Sequence, residues 1–346
     1  MGAGRAVSLR NYLPFAIAIT IILMVARPAA AADVLPFEPL KAPAVPVPDV
    51  EYFMPNPAPA LQAEFGARYW FGTGKTSKNL YGPPNVYNGL NSRLTYNSFW
   101  VNAGEFDWRV AFSNGWFIKG YAGGGSATQG QLQDEDFPPA IVPYSSTTSR
   151  EASGFLGYGS VDVGYDVFRG GDFRVGAFVG YHYLNQGESA YGCTQNATNP
   201  NVCQPAIPAT VQVISQTNTF QSLRVGVDGA VQLGSRFTLW AEGAYLPYVY
   251  LKGQDTHFLR GFDGPIPEDG TGQGFQLEAM LSYKVTPYFN VGVGGRYWYM
   301  TTSGNSHFED VIAGGMPQPV DWKTQVYGGF VQASFKFGPY PIGMQH

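Results

Sequence analysis

The stretch Phe237–Arg260, FTLWAEGAYLPYVYLKGQDTHFLR, decides the fold. In its first half Phe237, Leu239, Ala241, Gly243 and Tyr245 alternate with Thr238, Trp240, Glu242 and Ala244. A period of two is that of a β-strand with one apolar and one polar face, because successive side chains point to opposite sides. The strand then leaves the apolar band and delivers Asp255-Thr256-His257, the first place to look for chemistry. By parity Asp255 and His257 fall on the apolar register, so they stand above a membrane or follow a bulge, and Pro247 is where such a break belongs.

Outward from this stretch the same alternation recurs. Leu223, Val225, Val227, Val231 and Leu233 oppose Arg224, Asp228 and Gln232, and Phe275, Leu277, Ala279 and Leu281 oppose Gln276, Glu278 and Ser282. Ten such segments cover about 61–80, 92–112, 116–129, 154–168, 173–186, 215–233, 237–252, 272–285, 289–302 and 323–337. Tight turns at Ser113-Asn114-Gly115, Arg169-Gly170-Gly171-Asp172, Gly234-Ser235-Arg236 and Thr286-Pro287-Tyr288 alternate with long connections near 81–91, 130–153, 187–214, 253–271 and 303–322. A water-soluble sandwich also alternates, with its apolar face inward. Short turns at one end, long loops at the other, an even strand number and aromatics at the strand ends instead predict an all-β, ten-stranded antiparallel transmembrane β-barrel with long extracellular loops over 61–337. In so narrow a barrel, lumen residues such as Trp240, Tyr248 and Trp298 are expected to fill the interior, and His182 to face it and pair with an interior acid.

Composition agrees. The 346 residues are 45% hydrophobic and only 13% charged, with 44 Gly, 22 Tyr and 24 Phe, and the formal charge of -4 gives no reason to expect nucleic acid. Arg5 and Arg10, an apolar run from Leu13 to Val25 and alanines through Ala32 read as a secretory signal peptide over 1–32, too short in its apolar part to span a bilayer. Prolines 36, 39, 43, 46, 48, 55, 57 and 59 prevent ladder pairing and make 33–60 a periplasmic lead-in, and 338–346 is a tail. Cys193 and Cys203, in the loop-like YGCTQNATNPNVCQP, are expected to pair in an exported chain, removing about 3 kcal/mol of unfolded-state entropy.

Two places in the long connections gather acids: Asp134-Glu135-Asp136-Phe137 after the third strand and Asp255-Thr256-His257 after the seventh. Residues i and i+2 of an extended segment point the same way, so Asp134 sides with Asp136 and Asp255 with His257. A carboxylate beside an imidazole fixes its tautomer and stabilises its protonated form, so that it can take a proton from water. Two facing carboxylates could hold that water and would share protons as a coupled pair. Each motif alone is a weak signal, since acidic loop residues on an exported protein are commonly just solvated.

These residues resemble the omptin family of outer-membrane endopeptidases. The likeness runs from roughly Gly72 to Phe337: Gly74-Lys75-Thr76 followed by Tyr81, Ser92-Arg93-Leu94-Thr95-Tyr96, Asp134-Glu135-Asp136-Phe137, Phe237 to His257 with its D-x-H, Tyr283–Pro287 and Ala333–Phe337. The resemblance implies an active site on the outside of a Gram-negative outer membrane, acting on peptide or protein substrates. His257 would be the general base, Asp255 its orienting partner, and Asp134 with Asp136 the pair that positions water. It also implies no metal or other cofactor, with lipopolysaccharide commonly required for activity. Two positions depart from it. Lys78 and Gly253 stand where family members that cut between basic residues carry acids, which puts a dibasic preference in doubt.

The alternative is a non-catalytic barrel: an adhesin, a small pore or a structural protein. Other motifs are weak. Gly72–Thr76 resembles the end of a phosphate loop, but Tyr69 stands where Gly is needed; His307, Glu309 and Asp310 read as a solvated loop rather than a metal site.

Overall fold

The computed structural model describes residues 61–83, 89–137 and 142–338. The chain divides into two units, Met1–Met54 and Pro55–His346, and the described residues all belong to the second. The expected signal peptide, the lead-in and all of the tail except Gly338 lie outside them.

The strands are β1 (Leu61–Tyr81), β2 (Leu90–Phe112), β3 (Trp116–Thr128), β4 (Gln131–Asp136), β5 (Ser145–Arg169), β6 (Phe173–Gln195), β7 (Ile207–Leu233), β8 (Phe237–His257), β9 (Ile266–Lys284), β10 (Phe289–His307) and β11 (Pro317–Phe337). All pair antiparallel with their neighbours, and β1 pairs with both β2 and β11, so the sheet closes on itself. The strands β3 and β4 fill one place in the ring, each lying between β2 and β5 and parted only by Gln129-Gly130. Gln129 (φ 66°) and Ser98 (φ 56°) on the neighbouring strand take the left-handed conformation that a local bulge requires. The barrel therefore has the ten staves that the alternation implies.

Outward-facing Phe65, Tyr69 and Phe71 on β1, Leu223, Val225 and Val227 on β7, and Val291 and Val293 on β10 are exposed. Apolar side chains around the outside of a closed sheet belong in lipid, where no unpaired strand edge is tolerated. Above this belt the outward residues turn polar, as with Ser77 and Asn79 on β1 and Lys252 and Gln254 on β8, yet the ladder continues. Much of the connections expected over 130–153, 187–214, 253–271 and 303–322 is consequently strand. Between Ser145 and Arg150, for example, Ser and Thr face inward while Ser146, Thr148 and Arg150 face outward. With both faces polar the hydrophobic alternation vanishes although backbone pairing persists. Cys193 likewise lies in β6 rather than in a loop, and its sulfur is joined to that of Cys203.

A bulge re-aims β8. Its pairing skips between Leu246 and Val249 opposite β9, and between Leu223 and Val225 on β7. Before the break Ala244 and Leu246 are buried; after it Val249, Leu251, Gly253 and Asp255 are. Pro247 sits in the bulge, where a missing N–H leaves no ladder bond unmade. The shift turns Asp255 into the lumen and puts Tyr248 outside, 47% exposed, contrary to the expectation that it fills the interior.

The lumen itself is layered. At the turn end a cavity of about 800 Å³ is lined by Trp240 and by charged groups including Arg109, Lys119, Asp228 and Glu242. Arg68 and Arg296 form ion pairs with Glu105 and Glu278 just above. Over them Trp70, Tyr121, Tyr158, His182 and Trp298 meet ring to ring, with Trp298 5.0 Å from Trp70, 5.1 Å from Tyr158 and 5.1 Å from His182. His182 packs in this layer with neither ring nitrogen hydrogen-bonded, so the interior acid expected beside it is not there. The aromatic layer separates the cavity below from the polar mouth above.

Candidate active site

At the mouth the last turn of side chains on β8 supplies Asp255 and His257. The imidazole Nε2 lies 3.0 Å from Asp255 Oδ2, and the ring edge rests on Phe262, 6.0 Å between centroids. Asp255 is buried, which works against its charge, yet His257 and Lys78 beside it hold its carboxyl well below the usual range. It is an ionised group able to orient the imidazole.

Asp134 and Asp136 come from β4, four staves round the ring from β8. They share a face of the strand, opposite Leu94 and Ser92 of β2, and Ser92 Oγ donates to Asp134 Oδ1 at 3.4 Å. Burial and the neighbouring Asp136 push Asp134 up to about 6, while His257 and Arg260 pull it down and Asp255 raises it further. Asp134 thus stands in the electrostatic field of both β8 residues across the mouth. The three acids and the imidazole singled out in the sequence are brought to the mouth by the short β4 ladder and the β8 bulge. Below them Tyr96, 1% exposed, is raised by burial and by the charges of Asp255, Glu188, Glu151 and Asp134.

A buried charge network beneath these residues is not legible in the sequence. Lys78 on β1 reaches across the lumen: its Nζ lies 2.5 Å from the same Asp255 Oδ2 that meets His257, and 2.7 Å from Glu268 Oε1 on β9. Burial disfavours the ammonium, but Asp255 and Glu268 together keep it charged, above its usual pKa. Glu268 also accepts from Gln216 Nε2 at 3.0 Å and from Ser306 Oγ at 3.1 Å. Gly253 is directly opposite Glu268 in the ladder. A Cβ built there would meet Asn218 Oδ1 at 2.8 Å and Glu268 Oε2 at 3.3 Å, so the volume above Gly253 is already taken by this network. Glu268 falls in a segment that reads as loop, and only the weak inward spacing of Ile266 and Glu268 could have pointed to it.

The weaker motifs resolve simply. Gly72–Thr76 lies within β1, with no helix after it. His307 ends β10 with Nδ1 2.8 Å from Glu309 and Nε2 3.5 Å from Asp269, an exposed cluster in which the Glu309 hydrogen bond raises the imidazole above its usual value. Among the described residues no three His, Cys, Asp or Glu side chains gather as a metal centre would.

By sequence no protein-family model and no curated protein matches the chain. By structure it is similar to the outer membrane protease OmpT from Escherichia coli, with a TM-score of 0.62 at 16% identity, over 81% of this chain and 98% of that one. Weaker likenesses include the translocator domain of the autotransporter NalP from Neisseria meningitidis (TM-score 0.33, 9% identity, 80% of this chain and 88% of that one) and OprG from Pseudomonas aeruginosa (TM-score 0.32, 11% identity, 80% and 97%). The ten-stranded ring and the OmpT likeness make the fold that of an outer-membrane β-barrel.

Proposed function

We propose that the chain is an outer-membrane endopeptidase of the omptin kind, hydrolysing peptide bonds with an activated water. The observation that carries this reading is the meeting of the Asp255–His257 pair on β8 with Asp134 from β4, four staves away, in one electrostatic field. A water between His257 and Asp134 gives up a proton to the imidazole as it attacks the peptide carbonyl. Asp255 stabilises the imidazolium, which returns the proton to the departing amine. Asp134 and Asp136 hold and orient the water, and no covalent intermediate forms. Lys78 and Gly253 leave no acid free for a basic side chain, so a dibasic preference is not expected. Lipopolysaccharide in the outer leaflet is the expected activator, with the mouth facing outside.

The test is purified protein with lipopolysaccharide against an unbiased peptide library. His257→Ala should lower turnover by about 10²- to 10⁴-fold while leaving a barrel that still shifts in gel mobility on heating. Unchanged turnover would remove His257 from the mechanism.

One observation favours a second reading, a non-catalytic barrel whose loops only bind. Lys78 sits directly on Asp255 and opposes a second positive charge on His257. Against it, Lys78 is itself outweighed by two acids, Asp255 and Glu268, so the imidazole still faces net negative charge. The pore version also predicts conductance in planar bilayers, which the aromatic layer opposes.

A further inference from the structure

Nine acidic side chains are buried among the described residues, and seven of them form an ion pair with Lys or Arg. The two that do not, Glu151 and Glu188, are neighbours. Glu151 on β5 is opposite Ala190 of β6, two residues along the same inward face from Glu188, and the Glu188 charge weighs on Glu151. Glu151 is 0% and Glu188 2% exposed, and among the described residues both oxygens of Glu151 and Oε2 of Glu188 have no hydrogen-bond partner. Burying two carboxylates in this way costs several kcal/mol per ion unless something else balances them.

Further unpartnered oxygens surround the pair. Gln186 Nε2 donates to Glu188 Oε1 at 2.8 Å and to Thr76 Oγ1 at 2.9 Å, leaving Gln186 Oε1 buried without a partner. The Tyr96 hydroxyl, also buried and unpartnered, lies in the field of both glutamates. Room for Glu151 is made by the break between β3 and β4: a Cβ on Gly130 would come within 2.3 Å of Glu151 Oε2. On the inward face of β1, Lys78, two residues from Thr76, is already held by Asp255 and Glu268.

We infer that Glu151, Glu188, Gln186 Oε1 and the Tyr96 hydroxyl form a binding site for one divalent hard cation of the calcium class. Two carboxylates match its charge, and a donor set of oxygen alone, with carbonyl and hydroxyl groups completing it, suits calcium and disfavours zinc or copper, which seek nitrogen or sulfur. Gln186 Oε1 and the Tyr96 hydroxyl are the neutral oxygens beside the two acids, and the group contains no histidine. Without a cation the alternative is protonation: burial pushes Glu188 up to about 8, and burial with Glu188 pushes Glu151 up to about 9. The cation would tie β5 to β6 beneath the active site, and this inference goes beyond the peptidase reading and stands whether or not His257 is catalytic.

The test uses the full chain refolded from denaturant into detergent, free of lipopolysaccharide, and titrated with terbium chloride while luminescence is excited through the aromatic side chains. One ion per barrel, displaced by calcium chloride and keeping few waters by its decay in H₂O against D₂O, is expected. Glu151→Gln/Glu188→Gln should weaken binding by about 100-fold or more, since both charged ligands are gone, with heat-modifiable mobility showing that the variant folds. Should the double variant not fold, the hydration number of the ion on the unaltered protein decides alone. No binding, an ion that keeps a nearly full hydration shell, or affinity unchanged by the double substitution would overturn the site.

Discussion

The two ends of one lumen solve the same problem in opposite ways. Within the lipid belt every buried acid is answered by protein: Asp228 by Arg109, Lys119 and Arg174, Glu242 by Lys119 and Arg224, Glu105 and Glu278 by Arg68 and Arg296. At the mouth Lys78 serves two acids, Asp255 and Glu268, while no Lys or Arg among the described residues pairs with Glu151 or Glu188. Deep in the barrel nothing else can supply countercharge, so the sequence must. Near the mouth water or a bound ion can, and the unanswered carboxyl groups are where the inferred cation would sit.

The largest effect should come from breaking the lower arrangement. Arg296 lies between Glu105 and Glu278 and over the rings of Trp70 and Trp298, at 4.9 and 5.0 Å. Arg296→Met leaves buried acids short of a partner and should cost about 3–5 kcal/mol, read as a lower urea midpoint for the folded barrel. A midpoint unchanged within error would mean that the lower charges are not a structural layer.

At the mouth the sign should reverse. Glu151 and Glu188 hold protons in the folded barrel up to about 9 and about 8, against an ordinary 4.5. Between those values the folded state binds more protons than the unfolded one, so in the absence of divalent cations stability falls as pH rises. Glu151→Gln/Glu188→Gln removes that slope and should raise the urea midpoint at about pH 8 in chelator, with little change near pH 4.5. Calcium should bring the unaltered protein up to the same stability and leave the variant unchanged. A midpoint that rises with pH in the unaltered protein would contradict the pairing of these two acids.

How much of this was legible follows the same division. Inside the belt one face meets lipid and the other a polar lumen, so alternation announces each stave, and Arg224, Asp228, Glu278 and Arg296 read as inward. The turns were readable because glycine serves them, as at Gly115 (φ 104°) and Gly234 (φ 69°), and the β8 break was readable because Pro247 cannot donate. Above the belt both faces are polar, and the upper halves of β5, β6 and β9 pass for loops. Tyr248 was misplaced because a bulge at Pro247 flips parity beginning with that residue. Asp134, Asp136, Asp255 and His257 could be picked out as local motifs. Lys78 with Asp255 could not, because it joins residues 177 apart across a closed lumen, a contact that only the ring makes.

The finest test of the mouth concerns Asp134. Burial, then Asp136, lifts it to about 6, within reach of an activity profile. If the ionised Asp134 holds the attacking water, turnover should fall as pH drops through that value, because the protonated carboxyl no longer accepts from the water while Asp255, held far lower, stays ionised. Asp136→Asn removes the second cause of the shift but not the first. The acidic limb should move to lower pH by a fraction of a unit rather than disappear, with turnover at neutral pH reduced only modestly. A limb that stays in place would assign it to another group, and one that moves up would mean that Asp136 was helping Asp134 to ionise, which the repulsion between two carboxylates on one face of β4 forbids.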